Sequence, residues 1–106
     1  MAQTFKSAAS QNITTVTTVL TAPAATTCVV MSLIVANDGA TDTTVTVSAT
    51  KSGGSATNLI YQTPLPGNSN ITVLNSNSRL VLETGDAIKV TAGAASDCYI
   101  SYLAVT

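Results

Sequence analysis

Five carboxylates, two thiols and three phenols are the side chains in this 106-residue chain whose types could do chemistry, and there is no histidine. Without an imidazole the usual general base, triad partner and commonest metal ligand are missing. Cys28 and Cys98 have no ring beside them in the sequence to activate a thiolate. Both stand in apolar runs, "CVVMSLIVAN" and "CYISYLAV", where cysteine behaves as a small hydrophobe. Buried free thiols and a mutual disulfide both fit; a reactive thiol is the least expected state. Asp38, Asp42, Glu83, Asp86 and Asp97 all fall in expected turns. A catalytic carboxylate pair needs partial burial to separate its pKa values, which turn tips do not supply. Asp38 and Asp42 could share a Ca²⁺ with backbone carbonyls, but the spacing is not that of an EF-hand and Asp is an ordinary turn residue. "SGGS" at 52–55 lacks the Lys and following helix of a phosphate loop and reads as a flexible hairpin turn. Tyr61, Tyr99 and Tyr102 would make a sugar-stacking platform if they shared a face. Tyr99 and Tyr102 have opposite strand parity, which places them on opposite sides. The expectation is therefore no catalytic, cofactor-binding or metal residues, and no cofactor.

The elements that would position any site are strands. Thr, Val and Ile dominate, and these favour pleated, half-buried surfaces. No segment sustains a 3.6-residue apolar period with caps, so no helix longer than a turn is expected. "ITTVTTVL" (13–20) is an early strand, followed by a loop around Pro23. "CVVMSLIVAN" (28–37) is nearly continuously apolar, which predicts a central strand covered on both faces. "NDGATD" is a turn. "TTVTVSATK" (43–51) alternates strictly, with Val45, Val47 and Ala49 on one side and Thr44, Thr46, Ser48 and Thr50 on a wet one. "TNLIYQTPL" runs to Pro64 and Pro66, which cannot donate to a ladder. "NITVLN" follows. Residues 79–90, "RLVLETGDAIKV", read as a hairpin, Leu80 and Leu82 on one arm and Ile88 and Val90 on the other, reversed by Glu83-Thr84-Gly85-Asp86; a ligand or cation loop is the lesser reading of that turn. "CYISYLAV" is the last strand. About eight antiparallel strands at short intervals predict an all-β fold, a β-sandwich or jelly roll. An immunoglobulin-type core is disfavoured by the absence of Trp. The expected organisation is an N-terminal arm, 1–12, and a single β-sandwich domain, 13–106, with Val30, Leu33, Val35, Val45, Val47, Leu80, Leu82, Ile88, Val90 and Leu103 in its core.

Composition narrows the function classes. Hydrophobic residues make up 45% of the chain and charged residues 8%, against about 25% charged in an average domain. The formal net charge is −1. A near-neutral surface of hydroxyls and methyls fits a protein that lives packed against others; a Thr-rich surface that is merely soluble is the other reading. Three Lys and one Arg leave no basic stripe to displace counterions from phosphates, so no nucleic-acid partner is expected. The longest apolar run is about half the length of a membrane-crossing helix, so no membrane partner is expected. "MAQTFKSAAS" has one Lys and no following apolar core, so it does not read as a signal peptide, and synthesis in a cytoplasm is expected. The "NIT" sequons at Asn12 and Asn70 are then plain β sequence.

Over its whole length the chain resembles a group of small structural proteins of tailed bacteriophages. The pattern opens with "TFKSAASQNI", passes through "TAPAATTCVVMSLIVAN", a Thr/Val-alternating strand and "YQTPLPGNSNITVL", and ends with "LVLETGDAIKVTAGAASDCYISYLAV", its most specific part. Phage members often carry Pro-Ala-Gly in the first loop; here Pro23 is followed by Ala24-Ala25-Thr26. The resemblance implies a non-enzymatic virion component: a capsid decoration or cement protein bound to the major capsid protein, or else a neck, tail or fibre module with a glycan- or receptor-recognising role. It implies assembly with other virion proteins in the host cytoplasm, and a homo-oligomer is expected.

Overall fold

The computed structural model describes residues 2–75 and 77–106. Nine strands follow one another: β1 Gln3–Ile13, β2 Thr17–Thr21, β3 Thr27–Asn37, β4 Thr43–Thr50, β5 Ala56–Leu65, β6 Asn70–Leu74, β7 Leu80–Leu82, β8 Ala87–Ala92 and β9 Ser96–Val105. Among the described residues there is no helix. The strands form two antiparallel sheets, one in the order β1-β9-β3-β6 with β7 also on β3, the other β2-β8-β4-β5.

Strand pairing explains the order. β4 and β5 are joined as a hairpin. Its turn is closed by the Gly54 N–H donating to the Lys51 carbonyl (2.8 Å), with Gly53 at φ 73°, a conformation that costs glycine little. Working outward from that tip, β3 pairs with β6 and β7, β2 with β8, and β1 with β9. The chain is thus one long antiparallel ribbon. Rolling it up adds the β3·β9 and β4·β8 ladders, and all but the β4–β5 and β6–β7 connections pass from one sheet to the other. Two four-position layers wound from a single ribbon make a jelly roll, with β6 and β7 sharing one position. The sandwich expectation holds, with nine strands in place of about eight.

The core lies between the sheets. Val30, Leu33, Val35, Cys98 and Ile100 from the first sheet meet Val45, Val47, Ile88 and Val90 from the second. β8 alternates cleanly and β4 does so as far as Val47; beyond it Ser48, expected on the wet side, is buried and Ala49 is only half-buried. These readings need correction. Residues 79–90 are not a hairpin: β7 pairs with β3 and β8 with β2 and β4, so Glu83–Asp86 carries the chain between sheets. β3 is central in its sheet but only its inner face is covered; Ile34 on the outer face is exposed. Leu103 is turned outward, since Cys98, Ile100 and Ala104 take the inward positions on β9 with Tyr102 packed beside them. Leu80 is partly buried against the core. Residues 3–12 of the expected arm, together with Ile13, form β1 along β9, from Gln3 opposite Val105 to Ile13 opposite Ser96; Met1 of that arm lies outside the described residues.

Candidate functional site

The acids, thiols and phenols are scattered by this fold, with one exception. Asp86, expected at a turn tip, has a side chain only 3% exposed. Its Oδ1 accepts the Ser52 N–H (3.0 Å) and its Oδ2 accepts the Glu83 N–H (2.9 Å) and the Lys51 ammonium (2.7 Å). The Lys51 hydrogen bond first, and the Ser52 and Glu83 N–H groups after it, hold the Asp86 carboxyl below the usual carboxylate range against the opposing effect of burial. Lys51 also reaches Glu83 Oε1 at 3.1 Å, and both acids raise its own pKa, Asp86 first. Around this carboxylate the turn is closed by the Asp86 N–H donating to the Glu83 carbonyl (2.9 Å), while the Ala22 N–H donates to the Asp86 carbonyl (2.9 Å) and the Gly85 N–H to the Ala22 carbonyl (3.0 Å). Gly85 sits at φ 87°, and a Cβ there would come within 2.8 Å of Ser52 Oγ, so glycine is required twice over. Asp86 therefore clamps the β7–β8 crossover to the β4–β5 tip and the β2–β3 loop. A carboxylate so fully hydrogen-bonded is a structural anchor, not a free base.

The other acids stand apart. Asp38 and Asp42, weighed above as a cation pair, go different ways. Asp42 Oδ1 accepts the Gly67 N–H (3.0 Å). Asp38 meets Asp97, whose hydrogen bond, ahead of desolvation and of the Asp97 charge, raises the Asp38 pKa. Asp97 Oδ1 accepts the Asn12 N–H (3.1 Å), and Asp97 lies within β9, not in a turn. Among the described residues no three His, Cys, Asp or Glu side chains are grouped to hold a metal ion. Asn37, which composition did not single out, organises that end of the sandwich. Buried, it donates to the Thr41 carbonyl (2.7 Å) and the Leu65 carbonyl (3.2 Å) and accepts the Gly39 N–H (3.0 Å). Asn-Asp-Gly was legible as a turn; that its Asn faces inward was not.

Cys28 and Cys98 are buried free thiols. Cys28 lies opposite Ala104 and Cys98 opposite Val35, which sets them about 20 Å apart along the β3·β9 ladder, far beyond disulfide reach. The disulfide alternative is thereby removed. Burial raises both thiols, Cys28 less a contribution from Lys6, and Cys98 to about 12. Both should therefore alkylate with iodoacetamide at neutral pH only as fast as the folded chain opens. Mass-shift kinetics with and without denaturant check this; rapid labelling of either thiol in the native protein would contradict it. The phenols do not form a platform: Tyr99 is exposed on β9, Tyr102 packs on the core, and Tyr61 is exposed on β5 in the other sheet.

One concavity of about 190 Å³ lies beside Ala9, Ile34, Asp97 and Tyr99, and another of about 230 Å³ between the tip of the β4–β5 hairpin and β7, against Leu59, Leu80 and Leu82. Both are smaller than the roughly 300–1,000 Å³ of small-molecule sites.

The outer faces of the two sheets differ more than the pockets do. On the β2-β8-β4-β5 sheet the outward register positions Thr18, Lys89 and Ser48 lie in one row and Thr91 and Thr46 in the next, a polar face on which Ser48 is covered. On the β1-β9-β3 sheet the row Phe5, Leu103, Val29 and Val81 crosses four strands. A second row holds Ala9, Tyr99, Ile34 and Thr72. Phe5 is 75% exposed, Val81 56% and Tyr99 53%. A contiguous apolar sheet face of this kind marks an interaction surface. Comparison with protein-family models, with curated proteins and with solved structures gives no match.

Proposed function

We propose that this chain is a non-enzymatic bacteriophage virion structural protein, and specifically a capsid decoration or cement protein docked on assembled capsid subunits. The observation that carries the reading is the contrast between the two sheets: a jelly roll with one hydroxyl-rich face and one face that carries two apolar rows, in which Phe5, Val81, Ile34 and Tyr99 are exposed. Supporting it, Asp86 is paired with Lys51, both thiols are buried, and Asp42 and Asp97 accept backbone N–H groups. With 8% charged residues the surface has few ion pairs to offer, so partner choice rests on shape, hydroxyls and backbone edges. β1 is an edge strand of eleven residues whose sole charged side chain is Lys6, and bare edges invite pairing with another chain. Many weak contacts on a lattice raise the effective concentration and make attachment lasting. Exposed Tyr61 and Tyr99 keep a neck, tail or fibre module with a recognition role as the second reading.

Quantitative mass spectrometry of whole purified particles tests the proposal. A copy number matching capsomers is the expected result. A few copies per particle would replace decoration by the neck or tail reading, and absence from particles would overturn both. Deleting residues 1–10 is not a clean probe of docking, because it removes most of β1 and bares β9.

A further inference from the structure

We propose that the outer face of the β1-β9-β3-β6/β7 sheet is the seat of a second copy of this chain, packed sheet on sheet about a two-fold axis running along the row Ser7, Ser101 and Ser32. The proposal deepens the structural reading above by naming the partner of one face, and rests on it only for the setting in which the pair is used.

The face is built as two apolar rows with a row of small hydroxyls between them. Along β1 the outward positions are Phe5, Ser7 and Ala9; along β9 they are Leu103, Ser101 and Tyr99 opposite them. On β3 the matching positions are Val29, Ser32 and Ile34, because the register shifts by one residue at Met31. At the outer edge β7 supplies Val81 opposite Val29, and β6 supplies Thr72 opposite Ile34. An isologous contact requires that a surface complement itself. Rotation about the serine row exchanges the two apolar rows. Phe5 then falls on Ala9 of the other copy, Leu103 on Tyr99, Val29 on Ile34 and Val81 on Thr72. The largest exposed side chain of β1 thus meets its smallest, and on β9 the large phenol meets Leu103. The serines meet themselves as a narrow hydroxyl seam.

Charge and size agree with this occupant. The two apolar rows carry no charge; Asp97, opposite Ala36, lies beyond the Tyr99 row at one end, and the exposed Arg79, two residues before Val81, lies at the β7 end of the serine row. Apart from Arg79 at that edge, the two identical faces meet without like charges. Four strand positions at about 4.8 Å and residues 97–105 at about 3.3 Å each span about 19 by about 30 Å, roughly 570 Å² before side-chain relief is added. Standard stable interfaces use roughly 800 Å² per partner. Sheets of one twist pack face to face at about −30°, so a stacked pair repeats outside the subunit the packing that already forms its interior. The threonine-rich faces are left on the two outer sides of the dimer.

Sedimentation equilibrium of the full chain from low to high micromolar concentration, with three variants, tests the proposal. Wild type is expected to be a dimer. Phe5→Lys and Tyr99→Lys place charges in the two apolar rows at exposed positions and are expected to raise the dimer dissociation constant about tenfold or more each. Tyr61→Lys, exposed on the other sheet, is expected to leave it unchanged. Ser101→Cys, on the axis, is expected to join to its own copy with a short bis-maleimide, since Cys28 and Cys98 are buried. Circular dichroism of each variant verifies that the fold is kept. A monomeric wild type, a dimer indifferent to Phe5→Lys and Tyr99→Lys, or no crosslink at Ser101→Cys would each overturn the proposal. Particle incorporation is read separately: a monomer that still enters particles defeats this interface alone, and a dimer that never enters them defeats the virion reading alone.

Discussion

Val47→Asp is expected to destabilise the chain by about 4 kcal/mol or more, a large part of the roughly 5–15 kcal/mol that holds an average domain together. Val47 is fully buried on β4, opposite Val90 on β8 and Ile60 on β5. Lys51, at the tip of the same hairpin, is already engaged by Asp86 and Glu83. A carboxylate at Val47 would sit between the sheets among apolar side chains, and neutralising it by proton uptake costs free energy at pH 7 as well. Two controls make the reading specific. Val47→Ala removes two methyl-sized groups and leaves a small cavity, for about 2 kcal/mol. Thr44→Asp, on the opposite face of the same strand and exposed, should stay within about 0.5 kcal/mol. Urea unfolding followed by circular dichroism gives all three. A Val47→Asp protein with the wild-type midpoint would mean that the inward register of β4 is wrong, and a large loss at Thr44→Asp would mean that it is inverted.

That register was legible because β4 obeys a period of two with unlike residues on its two faces. Where both parities are apolar the pattern loses its information. β9 reads Cys98, Ile100, Tyr102 and Ala104 on one side and Tyr99, Leu103 and Val105 on the other, and hydrophobicity alone does not say which side is inward. The sheet resolves it through β3, where the one-residue shift at Met31 lets Cys28 and Val30 face inward on even positions and Leu33 and Val35 on odd ones. The same shift is why the run 28–36 looked covered on both faces. Its outward residues Val29 and Ile34 are apolar because they belong to the two apolar rows of that sheet's outer face. The false hairpin at 79–90 has a different cause. A short turn between two β segments is a local signal, whereas the partners of β7 and β8 lie on β3, β2 and β4, so pairing was decided by ribbon winding. β1 was read as an arm for the same reason, its partner β9 being at the other end of the chain. As for the site, the absence of His is a matter of residue type, whereas the turn-tip placement expected of all five acids fails at Asp86, which is buried, and at Asp97, which lies within β9. The apolar seam of Phe5, Leu103, Val29 and Val81 becomes visible only when the register lines up four distant segments.

Asp86→Asn is expected to lower the melting temperature at neutral pH more than a change at any exposed acid, and to flatten the acid limb of the stability curve. The amide keeps one acceptor oxygen where the carboxylate used two. It cannot receive the N–H groups of both Ser52 and Glu83, and it offers Lys51 no charge. At least one buried donor is left without a partner while the amide's own N–H₂ is pushed against others. The crossover between sheets, the β4–β5 tip and the β2–β3 loop loosen together, since all three are tied to this residue. The pH dependence follows from the direction of the shift. Asp86 is held below its ordinary value in the folded chain, so it stabilises fully above the unfolded carboxyl pKa of about 3.9 and loses that contribution as pH falls through the lower folded value. Asp38 is shifted upward by Asp97 and acts in the opposite sense: its contribution is full below the unfolded value and is lost as pH rises through the folded one. Because Asp38 is present in both proteins, its effect cancels in the difference. Melting curves of wild type and Asp86→Asn from neutral pH down through about pH 4 and below should therefore converge toward acid, the gap being widest near neutrality. Parallel curves with a constant gap would mean that the residue acts by packing and not by charge, and coincident curves would remove Asp86 as the clamp of the fold.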